Sequence, residues 1–159
     1  MKRALQVILV VGAMVALASL MAWGVAVWFL GPYLVWAPEG IHTSVQTPES
    51  VAVGDSFELT LRVRNDGPTD RTLEAVTIEL GYLRGFSVDA IDPPMTGTEP
   101  ATDYRVYRFD SVIPAGEVTP IRFTLRALES GVYQGRIETQ FEGESRISRT
   151  TAATAVGDR

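Results

Sequence analysis

The chain contains no cysteine and a single histidine, His42. The absence of cysteine excludes disulfides, thiolate metal sites, thiol catalysis, a lipoprotein anchor and c-type haem attachment. One imidazole leaves little scope for histidine-based metal centres or for a catalytic triad. Charge is also missing from the amino-terminal part, since no charged residue stands between Arg3 and Glu39. The sequence therefore divides into an uncharged beginning and a charged remainder.

The uncharged stretch predicts a transmembrane helix over residues 4–31. Residues 4–30 would form a helix roughly 40 Å long at the usual rise per residue, longer than the roughly 30 Å hydrocarbon core of a bilayer. Gly31-Pro32 would end it, because proline cannot extend a helix. Positive charge precedes the segment at Lys2 and Arg3. By the positive-inside bias, residues 1–3 are predicted to be cytoplasmic and the C-terminal part extracytoplasmic.

This segment indicates a single-pass protein of the cytoplasmic (inner) membrane, with the bilayer as its first partner. An alternative is a signal peptide cleaved after Ala18, because Ala16-Leu17-Ala18 resembles a small-residue cleavage site. Small residues at four-residue spacing also predict a surface for packing a second helix, although such residues are common in membrane helices. This predicted helix-packing surface comprises Gly12, Ala16, Ala18, Ala22 and Ala26.

Aromatic residues gather toward the end of the apolar segment, as they do at the headgroup level of a membrane. We expect an interfacial aromatic linker over residues 32–40, so that the following domain stays close to the bilayer. The predicted membrane-interface residues are Trp23, Trp28, Tyr33 and Trp36.

From residue 41 onward apolar and polar residues alternate, which is typical of half-buried strands. Residues 57–64 alternate over eight positions, and Asn65-Asp66-Gly67-Pro68 follows as a turn cluster. Seven or so short strands separated by turn signals predict an all-β fold, an immunoglobulin-like antiparallel β-sandwich over residues 41–159. The side chains expected to point inward are Val76, Ile78, Leu80, Ile121, Phe123, Leu125, Tyr133, Ile137 and Phe141.

Several motifs resemble those of bacterial CARDB-type and related immunoglobulin-fold domains. Residues 51–59 and 63–67 resemble the "V-x-x-G-D" turn, the alternating strand and the "V-x-N-x-G" sequence that open these domains. Residues 113–117 resemble their later "L-x-P-G" turn, and residues 128–135 resemble a tyrosine corner built on Tyr133. The resemblance implies the fold, and it implies a role in binding, spacing or assembly outside the cytoplasm rather than one particular function.

Few groups of residues in the sequence could form a catalytic or metal-binding site. The sequence predicts no catalytic residue, no cofactor, no metal ligand and no small-molecule substrate. His42 has Ser44 nearby, but alternate residues of a strand do not form a catalytic turn. The segment Asp89 to Asp103 could offer oxygen ligands to a cation, although its spacing matches no calcium loop. Nucleic-acid binding is disfavoured, because all 19 acidic residues lie beyond residue 38 and exceed the basic ones there.

The predicted sandwich wiring puts strands B and E in one sheet and strands C, F and G in the other. The outward positions of B and E would then form a basic partner face made of Arg62, Arg64, Arg122 and Arg126. The outward positions of C and F would be mainly acidic, with Glu79, Glu138 and Glu142 relieved by Arg136. A solvated surface of mixed charge is the alternative.

These features favour a non-catalytic accessory or stabilising subunit of a larger integral membrane protein complex. The helix would pack against a partner, and the sandwich would contact that partner's outer surface. The alternative is a free-standing envelope module that binds protein or glycan.

Overall fold

The computed structural model describes residues 38–158, which form ten strands and one short helix. The strands and the helix α1 follow one another as β1 (Ile41–Gln46), β2 (Ser50–Ala52), β3 (Ser56–Asn65), β4 (Arg71–Glu79), α1 (Leu80–Leu83), β5 (Phe86–Asp92), β6 (Gly97–Pro100), β7 (Tyr104–Ile113), β8 (Val118–Ala127), β9 (Gly131–Phe141) and β10 (Ile147–Gly157).

The strands pack as a β-sandwich of two sheets, which confirms the predicted fold class. One sheet has the order β1-β3-β8-β5, and the other has the order β2-β10-β9-β4-β7-β6. The predicted count of about seven strands was too low, because β2, β5 and β6 were missed. The pairing is also not wholly antiparallel, since β2 runs parallel to β10. Strands B, E, C, F and G of the prediction correspond to β3, β8, β4, β9 and β10, in the predicted sheets.

The core lies between the two sheets and consists of the side chains on the inward face of each strand. Two-residue alternation is visible in β3, β8 and β9, where buried positions alternate with more accessible ones. Eight of the nine predicted inward residues are buried. Leu80 is the exception, because the chain leaves the sheet at Glu79 and turns into α1. Tyr107 and Phe109, whose facing the sequence left open, also belong to the core.

The hydroxyls of Tyr133 and Tyr82 hold segments of the chain together through hydrogen bonds. The hydroxyl group of Tyr133 donates a hydrogen bond to the carbonyl of Glu129 (3.1 Å), which confirms the predicted tyrosine corner. The hydroxyls of Tyr82, Thr47 and Thr154 form a triangle with sides of 3.0–3.2 Å. Burial raises the pKa of the Tyr82 phenol, while both threonine hydroxyls oppose the shift. The triangle links α1 to β10 and to the segment after β1.

Unlike these hydroxyls, the buried hydroxyl of Thr139 has no hydrogen-bond partner in the part of the chain that the structure describes. Thr139 of β9 is 1% exposed. We expect Thr139→Val to raise the free energy of unfolding by about 1 kcal/mol, because valine keeps the shape and removes an unsatisfied polar atom. Urea denaturation would measure the change. Thr154→Val is the contrasting variant and should destabilise, since the Thr154 hydroxyl is bonded twice. Equal effects of the two substitutions would contradict the prediction.

The last residues of the predicted linker, 38–40, belong to the sandwich. Gly40 adopts a positive φ of 73°, and a Cβ there would come 3.0 Å from the backbone nitrogen of Gly67. The amide of Asp66 donates to the Gly40 carbonyl at 2.7 Å, and Ile41 donates to Pro38. This segment is therefore held against the β3–β4 turn rather than free.

The predicted transmembrane helix over residues 4–31, its helix-packing residues and the four membrane-interface residues all lie outside the described part of the chain. Within residues 38–158 no helix is long and apolar enough to span a membrane.

Candidate functional site

The four predicted partner-face arginines all project from the outer surface of the four-stranded sheet. Three of them are ion-paired: Arg64 with Asp66 (2.6 Å), Arg122 with Asp92 (3.1 Å) and Arg126 with Asp89 (2.8 Å). The hydrogen bond from Arg126 lowers the pKa of the Asp89 carboxyl, with Ser87 contributing. Both Asp89 and Asp92 belong to β5, which was missed in the sequence. Three of the four arginines are thus neutralised, two of them by the adjacent strand β5 and Arg64 by Asp66 just beyond its own strand.

Arg62 is different, because within residues 38–158 it has no carboxylate partner. It lies diagonally across the β3–β8 pair from Val118, an exposed apolar side chain of β8 that is 48% accessible and whose direct partner is Arg64. Together with His42, Ser44 and Arg64 these residues surround a shallow cavity of about 290 Å³. We refer to His42, Ser44, Arg62, Arg64 and Val118 as the Arg62 patch.

The outer surface of the six-stranded sheet is charge-balanced rather than mainly acidic. Glu79 pairs with Arg136 (3.4 Å), and the pKa of its carboxyl is lowered chiefly by a hydrogen bond from the backbone amide of Arg136. Glu138 pairs with Arg149 of β10 at 2.5 Å. Arg149 was not among the residues predicted to face outward, because inward and outward positions were not assigned for the last predicted strand. The mixed-charge alternative therefore describes this surface better.

The described residues show no catalytic arrangement around His42. Its Nε2 lies 3.5 Å from Asp66, and its side chain is 72% exposed. No hydrogen bond joins His42 to Ser44 within residues 38–158. In the same range no three His, Cys, Asp or Glu side chains come together as a metal site. The segment Asp89 to Asp103, predicted as an irregular loop, consists largely of the end of β5 and the whole of β6, with a short connection between them.

A larger cleft lies between β5 and the β6–β7 hairpin, with α1 contributing to its wall. It has a volume of about 740 Å³, and its lining is mainly apolar. Arg84, Arg105 and Tyr107 contribute polar groups to it. Sequence reasoning missed this cleft, because its residues come from five separate segments, two of which belong to unrecognised strands. The one available signal was the cluster of prolines and Met95 after residue 92.

No protein-family model matches the chain, and no curated protein matches it. Solved structures do resemble it. The CARDB domain of a Pyrococcus furiosus protein, in complex with di-metal ions, has a TM-score of 0.50 and 15% identity over 77% of this chain and 93% of that one. A cohesin module from a Clostridium perfringens family 33 glycoside hydrolase has a TM-score of 0.50 and 11% identity over 75% and 98%. A protein that catalyses macrocyclization in alchivemycin A biosynthesis has a TM-score of 0.51 and 10% identity over 77% and 92%.

At these identities the likeness shows the fold alone. It confirms an all-β sandwich of the immunoglobulin-like kind, and it includes a CARDB domain, as the sequence motifs implied. The same fold is found in a cohesin module and in a protein that catalyses macrocyclization, so it does not decide between a catalytic and a non-catalytic role.

Proposed function

We propose that the chain is a non-catalytic accessory subunit of a larger protein complex in the cytoplasmic membrane. Residues 4–31 are the single membrane anchor of this proposal, with the amino terminus inside and the β-sandwich outside. The sandwich contacts an extracytoplasmic surface of the partner, and the small residues from Gly12 to Ala26 pack against one of its helices.

The observation that carries the proposal is the Arg62 patch. An arginine with no carboxylate partner near an exposed apolar side chain suits a protein interface, because arginine is enriched at interfaces and their buried centre is more apolar than the remaining surface. Other arginines of this surface are already ion-paired with carboxylates of this chain, so new contacts with them would add less to the affinity for a partner. A partner with an acidic side chain next to an apolar one would complement Arg62 and Val118.

The proposal is tested with tagged full-length protein extracted in mild detergent and run on a native gel, with mass spectrometry of the associated chains. We expect a stable large assembly for the unaltered chain. Arg62→Glu should reduce the recovered assembly about tenfold, because it turns an attraction of about 1.4 kcal/mol or more into a repulsion. Arg146→Glu is the matched control, since Arg146 is exposed and also has no carboxylate partner.

A lone 17.3 kDa species for the unaltered chain would overturn the proposal and favour the free-standing envelope module. Equal losses with Arg62→Glu and Arg146→Glu would show that the Arg62 patch is not the contact surface. If Ala22→Leu abolishes the assembly and Arg62→Glu does not, the contact with the partner lies in the predicted helix and not in the Arg62 patch.

A further inference from the structure

The cleft between β5 and the β6–β7 hairpin has the size and composition of a small-ligand site. Its volume of about 740 Å³ falls within the usual range for such sites, roughly 300 to 1,000 Å³. Its apolar wall is formed by side chains from α1, from β5 and from the connection between β5 and β6. These side chains are Leu80, Leu83, Val88, Ile91, Pro94 and Met95.

Two cationic side chains of the cleft lack carboxylate partners. Of the arginines in residues 38–158, four form no ion pair: Arg62, Arg84, Arg105 and Arg146. Two of these, Arg84 and Arg105, line this cleft. The guanidinium of Arg84 lies 5.9 Å from the centre of the Tyr133 ring, which supports its position without neutralising it. The one acidic side chain in the lining, Asp89, is already bound by Arg126.

Tyr107 provides an independent indication of a ligand. Its side chain is buried, with 6% exposure, and it lines the cleft. Its hydroxyl has no hydrogen-bond partner within the described residues. The hydroxyl oxygen is not among the fully buried unpartnered polar atoms of residues 38–158, so it keeps access to the cleft and can donate to a ligand there. Burial raises the pKa of Tyr107 and the charge of Arg105 opposes the shift, so the phenol is a neutral donor near a cation.

The strand edges beside the cleft argue against an added peptide strand. β5 is interrupted by a register shift between Val88 and Ala90, and β6 is four residues long and ends at Pro100. Bulges, short strands and proline all hinder pairing along an edge. A ligand would therefore bind between the sheets rather than along one of them.

We propose that this cleft binds a free aliphatic carboxylate, such as a medium-chain fatty acid. The acyl chain packs against the apolar wall, and the carboxylate receives hydrogen bonds from Arg84, Arg105 and the Tyr107 hydroxyl. This inference goes beyond the proposed function and does not depend on it.

The test is calorimetric titration of sodium decanoate into the full-length chain in phosphatidylcholine nanodiscs, with empty nanodiscs as the blank. We expect saturable binding at one site per chain. Arg84→Gln and Arg105→Gln should each weaken binding about tenfold, because each removes a charge-assisted hydrogen bond. Arg146→Gln is the matched control and should leave binding unchanged. Decanol, which has no carboxylate, should bind at least tenfold more weakly.

A further variant tests binding in the cleft without changing the charge of the chain. Ala90 lines the cleft and is exposed, so Ala90→Trp should block the cleft and abolish binding while the melting temperature changes little. Absence of saturable heat above the blank would overturn the proposal, and so would equal weakening in the Arg146→Gln control. If an acetylated Leu-Glu-Leu-Glu-Leu peptide binds and decanoate does not, the cleft is a protein-docking site and the fatty-acid assignment is wrong.

Discussion

Replacement of Asn65 by alanine is expected to lower the free energy of unfolding by about 3 kcal/mol and the melting temperature by on the order of 10 °C. Asn65 is fully buried at the end of β3. Its side-chain amide donates to the carbonyls of Thr69 (2.9 Å) and Ile113 (3.0 Å), and its Oδ1 accepts from the amide of Gly67 (3.0 Å). Alanine would leave these three backbone groups without their partner.

The position of Asn65 explains why the effect should be large. Its backbone is also bonded to the β7–β8 turn, through Gly116 (2.7 Å) and Glu117 (3.0 Å). One residue therefore joins the β3–β4 turn to the β7–β8 turn. Water cannot reach a buried acceptor such as the Ile113 carbonyl without opening that junction. The loss of its hydrogen bond is therefore not compensated by hydration, and the folded state is destabilised by the full cost of desolvating the carbonyl.

Two further variants make this prediction specific. Asp66→Ala is the control at the next position, and its loss of exposed ion pairs should cost under about 1 kcal/mol. Asn65→Asp keeps the shape but buries a carboxylate, so the pKa of the new carboxyl should be raised. Its stability deficit relative to the unaltered chain should therefore be smallest near pH 4 and should grow as pH rises through the native pKa. A pH-independent deficit, or equal losses for Asn65→Ala and Asp66→Ala, would contradict this account.

The strands that could be predicted from the sequence are those with one buried and one solvated face. β3, β8 and β9 each show clear alternation, because both of their long edges are paired and their inward residues fill the core. β5 lacks this signal: it is an edge strand, and the irregularity between Val88 and Ala90 shifts its alternation by one residue. β6 contains Gly97 and Pro100, which are typical turn residues, and three-residue β2 is too short to show a period.

The candidate sites depended on these missed strands. The outward facing of Arg122 and Arg126 followed from alternation in β8, but their neutralisation by Asp92 and Asp89 required knowing that β5 pairs with β8. The cleft was also hidden, because apolar residues such as Leu80 were expected to pack within a sheet. Pairing between distant segments decides both features, and no local pattern encodes it.

Replacement of Gly85 by alanine is expected to cost about 3 kcal/mol, although glycine-to-alanine changes on a compatible backbone are often favourable. A Cβ at Gly85 would come within 2.4 Å of two ring atoms of Tyr133. The ring cannot move away easily, since its hydroxyl is bonded to the Glu129 carbonyl and it makes a T-shaped contact with the Phe86 ring at a centroid distance of 5.1 Å. Gly97→Ala is the matched control, because nothing lies within 4 Å of a Cβ there.

A double-mutant cycle isolates the clash with Tyr133 as the cause. In a Tyr133→Ala background the ring is absent, so adding Gly85→Ala should cost under about 1 kcal/mol, which gives a coupling energy of about 2 kcal/mol. Thermal and urea unfolding of the four full-length proteins would measure it. If Gly85→Ala costs the same with and without the ring, the tyrosine does not explain the requirement for glycine. In that case the hydrogen bond from the Leu128 amide to the Gly85 carbonyl (2.9 Å) would be the contact to examine.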